Sequence, residues 1–257
     1  MARLAGKPTY IVLAILATAW IILLRIMLPF EAIPFVFEEF LAKIPVSLWS
    51  PLKTALPLFG IGLCINFIKM VTTTNPPEVR ANAPMIPIAG FRTSLIAGLF
   101  EEITFRWILF YAFMGLFWFA NQALIAITGY GDVEWFSNQY LGWFTDLIIG
   151  PATGVLDHPG AWTVGLAVLA SNWKFQEGHV YQGLLGFLLS GFGGLVFFRI
   201  MLGDGLLAAI ITHFLFDLMI FLMLYVDVSL EELAGNRQAK SKFYRWYATR
   251  PTPSKPS

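Results

Sequence analysis

Apolar residues run along this chain in long blocks separated by short polar stretches. The blocks lie at about 9–29, 52–71, 93–127, 160–174, 179–201 and 204–226. A helix needs about 20 apolar residues to cross the hydrocarbon of a bilayer. The pattern therefore predicts an all-α, polytopic integral membrane helical bundle of about six spans, with 1–257 forming a single membrane domain. The third block is long enough to tilt or to break. The fourth is short, so it begins earlier or lies partly re-entrant. Between the first two blocks, "EAIPFVFEEFLAKIPVSLWSP" holds too many charges and prolines to span, and it suits an interfacial helix. Arg3 and Lys7 ahead of the first block resemble the start of a signal peptide. The block runs on to Leu28 with no A-x-A site after it, which predicts a retained anchor helix.

Composition agrees with the pattern. The chain is 57% hydrophobic and 13% charged, with a mean hydropathy of +0.68, where a soluble domain is about one quarter charged. Many of the 24 Phe and 9 Trp stand near the ends of apolar blocks, as interfacial anchors do. A net charge of +1 gives a nucleic-acid partner no electrostatic support. The single cysteine, Cys64, excludes an intrachain disulfide framework and a CxxC metal site, and is expected to be a buried packing residue.

Charge is distributed unevenly between the loops. Lys69, Arg80 and Arg92 separate the second and third blocks. Residues 129–160 carry Asp132, Glu134, Asp146 and Asp157 without a lysine or arginine. Beyond Val226 come Arg237, Lys240, Lys242, Arg245, Arg250 and Lys255, then a Pro-rich end, "RPTPSKPS". By the positive-inside rule both termini are cytoplasmic, the acidic loop faces outward and 227–257 is a basic cytoplasmic tail. The loop is either a lid or access element, or an outer segment with no part in chemistry. No internal repeat is visible. Gly186, Ser190 and Gly194 recur every fourth residue, a spacing that lets a neighbouring helix approach.

Ionisable residues inside spans are costly, and so mark candidate sites. Arg25 and Arg199 stand near block ends and can snorkel, while Lys174 and Asp204 sit at boundaries. What remains is Glu101, Glu102, Arg106, His179, His213 and Asp217. Glu102 and Arg106 are i and i+4, so an ion pair is available on one helix face. Glu101 is turned about 100° from Glu102 and is left as a surplus negative charge. Of the three histidines, His158 lies in the outer loop and is read as a surface residue. His179 has Phe175 four residues before it, and His213 has Asp217 four residues after it. A lone histidine in an apolar helix is commonly a hydrogen-bonded core residue. Two of them beside an unpaired glutamate can instead polarise a water. They can do so directly as base and hydrogen-bond partners, or by holding a divalent metal, zinc being the candidate, through Glu101, His179 and His213. Periodicity leaves both routes open.

Three segments, in order, resemble a known family. Glu101-Glu102-x-x-x-Arg106 is similar to the EExxxR motif of the CPBP intramembrane endopeptidases, which include CAAX prenyl proteases and bacteriocin-processing or immunity proteins. Phe175-x-x-x-His179 resembles the family's FxxxH motif, and His213-x-x-x-Asp217 its HxxxN or HxxxD motif. "EEFLAK" at 38–43 and "EELAGNR" at 231–237 look related, but neither lies in an apolar helix. The resemblance covers residues 90–226 and implies a protease core over 86–226, preceded by N-terminal spans and the interfacial segment over 1–85. It implies a peptidase that cleaves a membrane-associated protein or peptide at the bilayer, in the inner (plasma) membrane of a bacterium. Glu101 would activate water with help from His179, while His213 and Asp217 would line the same site, stabilising the oxyanion or contacting a metal. An ionised Asp217 has no N–H to give an oxyanion. It can instead orient His213, hold a metal or stay protonated. Two other functions compete. A transporter or channel would string its charges along a pathway, and an immunity or scaffold protein would keep the motif residues without activity.

Overall fold

The computed structural model describes residues 47–129 and 161–248, together with the isolated positions Ala19 and Leu23, and gives side-chain surroundings over 47–129 and 163–235. The expected anchor helix at 9–29, the interfacial segment up to residue 46, nearly all of the acidic loop with His158, and the Pro-rich end lie outside the described residues.

Every regular element among the described residues is a helix. In chain order these are α1 (Trp49–Thr72), α2 (Pro77–Ala81), α3 (Ile86–Glu101), α4 (Phe110–Thr128), α5 (Ala161–Glu177), α6 (Gly183–Asp204) and α7 (Leu206–Ala248). Short tight turns at Ala83–Met85 and Val180–Gln182 lead into α3 and α6, and a wide π-helical turn, Glu102–Leu109, joins α3 to α4. Pro at the start of α2 suits a first turn whose N–H groups have no helical acceptor. Only Gly205 separates α6 from α7. Its φ of +100° is a conformation that a side chain would resist.

Four stretches of the described residues are long and apolar enough to cross a membrane: Trp49–Thr72, Ala83–Thr128, Val180–Asp204 and Leu206–Gly235. The blocks at 52–71, 93–127, 179–201 and 204–226 fall on them, and the chain reads as an integral membrane protein. The third stretch does not break. It stays helical for 46 residues, about 69 Å at 1.5 Å per residue, and widens only at the π turn. The short block at 160–174 is α5, with 17 residues, or about 25 Å against a hydrocarbon thickness of about 30 Å. The predicted tail is helical at its start, because α7 continues unbroken to Ala248.

The chain divides into two compact units. The first comprises Met1–Leu58 and Leu95–Leu215. Within it α5 buries Val164, Ala167, Val168, Ser171 and Phe175, positions on one helical face, and packs against both α4 and α6. Phe110, Tyr111 and Met114 of α4 and Phe197, Phe198 and Met201 of α6 are buried in the same unit. The small-residue spacing proves only partly informative. The nearest atoms to a Cβ on Gly186 would be those of Gln182, which precedes it by one turn, and the Ser190 hydroxyl donates to the Phe187 carbonyl. The close approach to α5 is made instead by Gly191, whose Cβ would stand 2.5 Å from Gln176 Nε2, and by Gly194, whose Cβ position the Asn172 side chain already occupies. A second close approach occurs at Gly98 of α3. A Cβ there would lie 3.0 Å from the Phe214 backbone nitrogen and 3.1 Å from the Ile210 carbonyl oxygen of α7.

The second unit comprises Phe59–Ser94 and Phe216–Ser257. Its small core is Ala83, Ile86 and Val228, with Val79, Phe221 and Leu224 packed against it. The Asn75 side chain donates to Asp227 Oδ2 at 2.7 Å, and its backbone N–H donates to Glu231 Oε1 at 2.9 Å. Arg80 Nε lies 3.9 Å from Glu231 Oε2. Cys64, expected to be buried, is exposed among the described residues. A membrane helix presents apolar positions to lipid as well as to its neighbours, so an apolar sequence context alone does not bury a residue.

Candidate active site

Glu101, Glu102, Arg106, His179 and His213 all belong to the first unit. The close approach at Gly98 brings the last turn of α3 against α7. One turn further on, Glu102 Oε1 accepts a hydrogen bond of 2.8 Å from His213 Nδ1. The same oxygen lies 3.2 Å from Arg106 Nη1. Glu102 and Arg106 are fully buried, and His213 is 4% exposed. The expected i, i+4 pair is therefore present, but Glu102 serves two partners rather than one.

Glu101 faces the other side of the imidazole. Its Oε2 is 3.8 Å from His213 Nε2, and its side chain is 30% exposed. Glu101 therefore stands on the Nε2 side of an imidazole whose Nδ1–H is donated to Glu102. The order Arg106, Glu102, His213, Glu101 thus runs from a dry interior to a partly open edge.

Aromatic rings surround the cation. The Arg106 guanidinium carbon sits 4.1 Å from the centre of the Phe175 ring, 5.5 Å from Phe197 and 5.4 Å from Phe198. Such faces stabilise a desolvated cation that one shared carboxylate oxygen would hold only in part. Phe197 also stacks on His213, with ring centres 4.6 Å apart and planes 16° apart. One edge of the imidazole is thereby fixed by Glu102 and one face by a ring.

The π turn matters locally. Wide turns of this kind leave backbone carbonyls without their usual helical donor and concentrate at functional sites. Here the Ser171 hydroxyl of α5 donates to the Phe105 carbonyl, tying the turn to its neighbour. Asn172, the next residue, is 6% exposed and donates its amide to the Gly191 carbonyl at 2.9 Å.

His179 joins the cluster through Phe175. Its Nδ1–H donates to the Phe175 carbonyl at 2.8 Å, and its ring lies 4.6 Å from the Phe175 ring. Asp217 stands one turn beyond His213 on α7 and belongs to the second unit. At Nδ1 it is Glu102 that orients His213.

The donor chemistry of Glu101, His179 and His213, one carboxylate and two imidazoles, suits a divalent ion. The spacing is less favourable. Glu101 and His213 come within ligand distance of each other, but no three His, Cys, Asp or Glu side chains gather as a ligand group among the described residues.

A groove of about 550 Å³ opens elsewhere in the same unit, lined by Phe117, Leu166, Asn172, Trp173, Gln176 and Leu195 among others. Its lining includes none of the six predicted site residues.

Gly98, Ser171, Asn172, Gly194 and Phe197 were not legible as site residues. The signal for two of them was the polar pair "SN" at 171–172 inside an otherwise apolar stretch. Gly194 is marked only for packing by its spacing, and Gly98 and Phe197 give no signal, because close approach and ring stacking depend on partners distant in sequence. No family model, curated protein or solved structure matches this chain.

Proposed function

We propose that this chain is an intramembrane endopeptidase of the CPBP type, hydrolysing a peptide bond of a membrane-associated protein or peptide. The observation that carries the reading is the alignment of Glu101, His213, Glu102 and Arg106 through contacts of 3.8, 2.8 and 3.2 Å. A carboxylate and an imidazole nitrogen face each other at the open end, and a braced, charge-compensated carboxylate stands behind them. Orienting an imidazole through Nδ1 while Nε2 acts is a recurrent arrangement in hydrolases.

A water between Glu101 Oε2 and His213 Nε2 donates one hydrogen to each, which turns its oxygen lone pair toward an incoming carbonyl. As the new C–O bond forms, Glu101 takes the water's proton. It returns that proton to the leaving nitrogen as the C–N bond breaks. Glu102 keeps the imidazole in the required tautomer, and Arg106 compensates the charge of Glu102. His179 assists from the end of α5. If a divalent ion takes part, Glu101, His179 and His213 would hold it, and it would supply Lewis-acid polarisation of the carbonyl. The reading includes six spans, with 9–29 and 160–174 added to the four long helices. It also includes cytoplasmic termini and the inner membrane of a bacterium.

Purified protein in detergent should cleave a quenched peptide library, and heavy-oxygen water should label the new carboxyl group. Cleavage no greater than that of a Glu101→Gln preparation would overturn the reading. A permeant chelator together with metal analysis tests the ion, and full activity in a metal-free preparation would remove it. A fluorescent fusion at Ser257 should glow, and an exported reporter active there would reverse the topology.

A further inference from the structure

The buried Asn172 on α5 is held by one end only. Its Nδ2 donates to the Gly191 carbonyl at 2.9 Å, which fixes which end of the amide is oxygen. The opposite end, Oδ1, is buried and has no hydrogen-bond partner among the described residues. Arg106 shows the complementary pattern. It is fully buried, Glu102 is its ion-pair partner, and Nε, Nη1 and Nη2 find no well-directed hydrogen-bond acceptor among the described residues.

These two ends meet at Gly194. The Asn172 oxygen lies on the point where a Gly194 Cβ would stand, and Arg106 Nη2 is 3.1 Å from that point. Only a residue without a Cβ leaves room for the amide oxygen and the guanidinium to share this space. Burying an acceptor and a donor next to each other is favourable only when they are used together.

We propose that Asn172 is a positioning residue for the Glu102–His213 pair, acting through Arg106. Its oxygen, otherwise unused and beside the guanidinium, is the second acceptor that Arg106 reaches by a small side-chain rotation. Arg106 then divides its hydrogen bonding between Asn172 on α5 and Glu102 on the π turn. That division sets how much negative charge Glu102 keeps for the His213 Nδ1–H. The inference deepens the peptidase reading by adding a residue to its charge chain, but its test does not depend on peptide cleavage.

The two directions of change are opposite. In Asn172→Leu the second acceptor is gone, Arg106 turns wholly to Glu102, and Glu102 becomes a weaker acceptor. In Asn172→Asp a second carboxylate competes for Arg106, and Glu102 becomes a stronger acceptor.

The readout is the imidazole N–H proton signal of His213 in full-length protein labelled at histidine, assigned against His213→Gln among the three histidines. The signal should move upfield in Asn172→Leu and downfield in Asn172→Asp. A signal that stays in place in either folded variant, or moves the same way in both, overturns the proposal. A residue that merely filled space would loosen both variants alike. If neither variant folds, the unmodified protein still decides. The Arg106 terminal nitrogens, assigned against Arg106→Lys, should give separate, slowly exchanging signals, and a single rotationally averaged signal would overturn the proposal. Failure of the peptide assay with the histidine shifts intact would discard the peptidase reading and keep the Asn172 assignment.

Discussion

Arg106 and Arg80 each face a glutamate, at 3.2 Å and at 3.9 Å, in two different units of the chain. The surroundings differ more than the distances. Arg106 and Glu102 are fully buried, the cation lies among three phenylalanine rings, and the carboxylate also receives an imidazole N–H. Arg80 and Glu231 have side chains 46% and 19% exposed, and Glu231 accepts from Asn75. Water and salt screen the second pair, so it contributes little. Nothing screens the first, so each member depends on the other. A buried charge chain of this kind is costly to assemble and gains its value from what it orients. The partly exposed cluster ties Asn75 near the end of α1 to α7 and requires no chemistry to explain it.

Breaking the buried pair should have the largest effect. Glu102→Gln leaves Arg106 without its counter-charge, at a cost of about 3–5 kcal/mol. In detergent that variant should unfold well below the parent or fail to accumulate. Adding Arg106→Gln should restore part of the loss. Equal thermal stability of Glu102→Gln and the parent would mean that the burial contrast between the two clusters has no energetic content.

Glu101 separates function from stability within one cluster. Glu101→Gln keeps the shape and removes the carboxylate base at the open end. Peptide turnover should fall by about 10²–10⁴-fold, with an unfolding temperature close to the parent. A matching loss of stability would instead place Glu101 with Glu102 as one structural unit.

Gly98 is a test of the spacing that lets the chain of contacts form. Gly98→Ala puts a methyl group 3.0 Å from the Phe214 backbone nitrogen, and overpacking of this kind costs about 1–3 kcal/mol. Both stability and turnover should fall together, since Glu102 directly follows α3 and His213 lies on α7. Unchanged turnover would show that the Glu102–His213 bond tolerates separation.

The smallest effects belong to the second unit. Asn75→Ala removes donors to Asp227 and Glu231 and should cost about 1 kcal/mol. Arg80→Ala should cost less than about 1 kcal/mol. Neither should alter turnover per folded molecule. A turnover loss in either would tie the second cluster to the chemistry and erase the contrast.

Much was legible without coordinates. Apolar blocks of bilayer length mark the long helices, because no other open element can satisfy its backbone in lipid. The pairing of Glu102 with Arg106 follows from helical spacing, since residues four apart meet on any helix. That Glu101 points away from Glu102 follows from the same helical geometry. Other expectations depended on partners far along the chain. Periodicity described Glu102 as a partner of Arg106 alone, and it could not see His213, 111 residues away, donating to the same oxygen. It set Asp217 near His213 because they are neighbours on one helix, and it could not add that Glu102 from another helix accepts the Nδ1–H. It marked Gly186, Ser190 and Gly194 by their spacing, whereas the approach to α5 falls at Gly191 and Gly194, and α3 meets α7 at Gly98. Local sequence fixes what a helix can present on each face, because backbone geometry is the same everywhere. Which faces meet, and how closely, depends on how whole helices fit one another, and for this protein only the tertiary structure decided that.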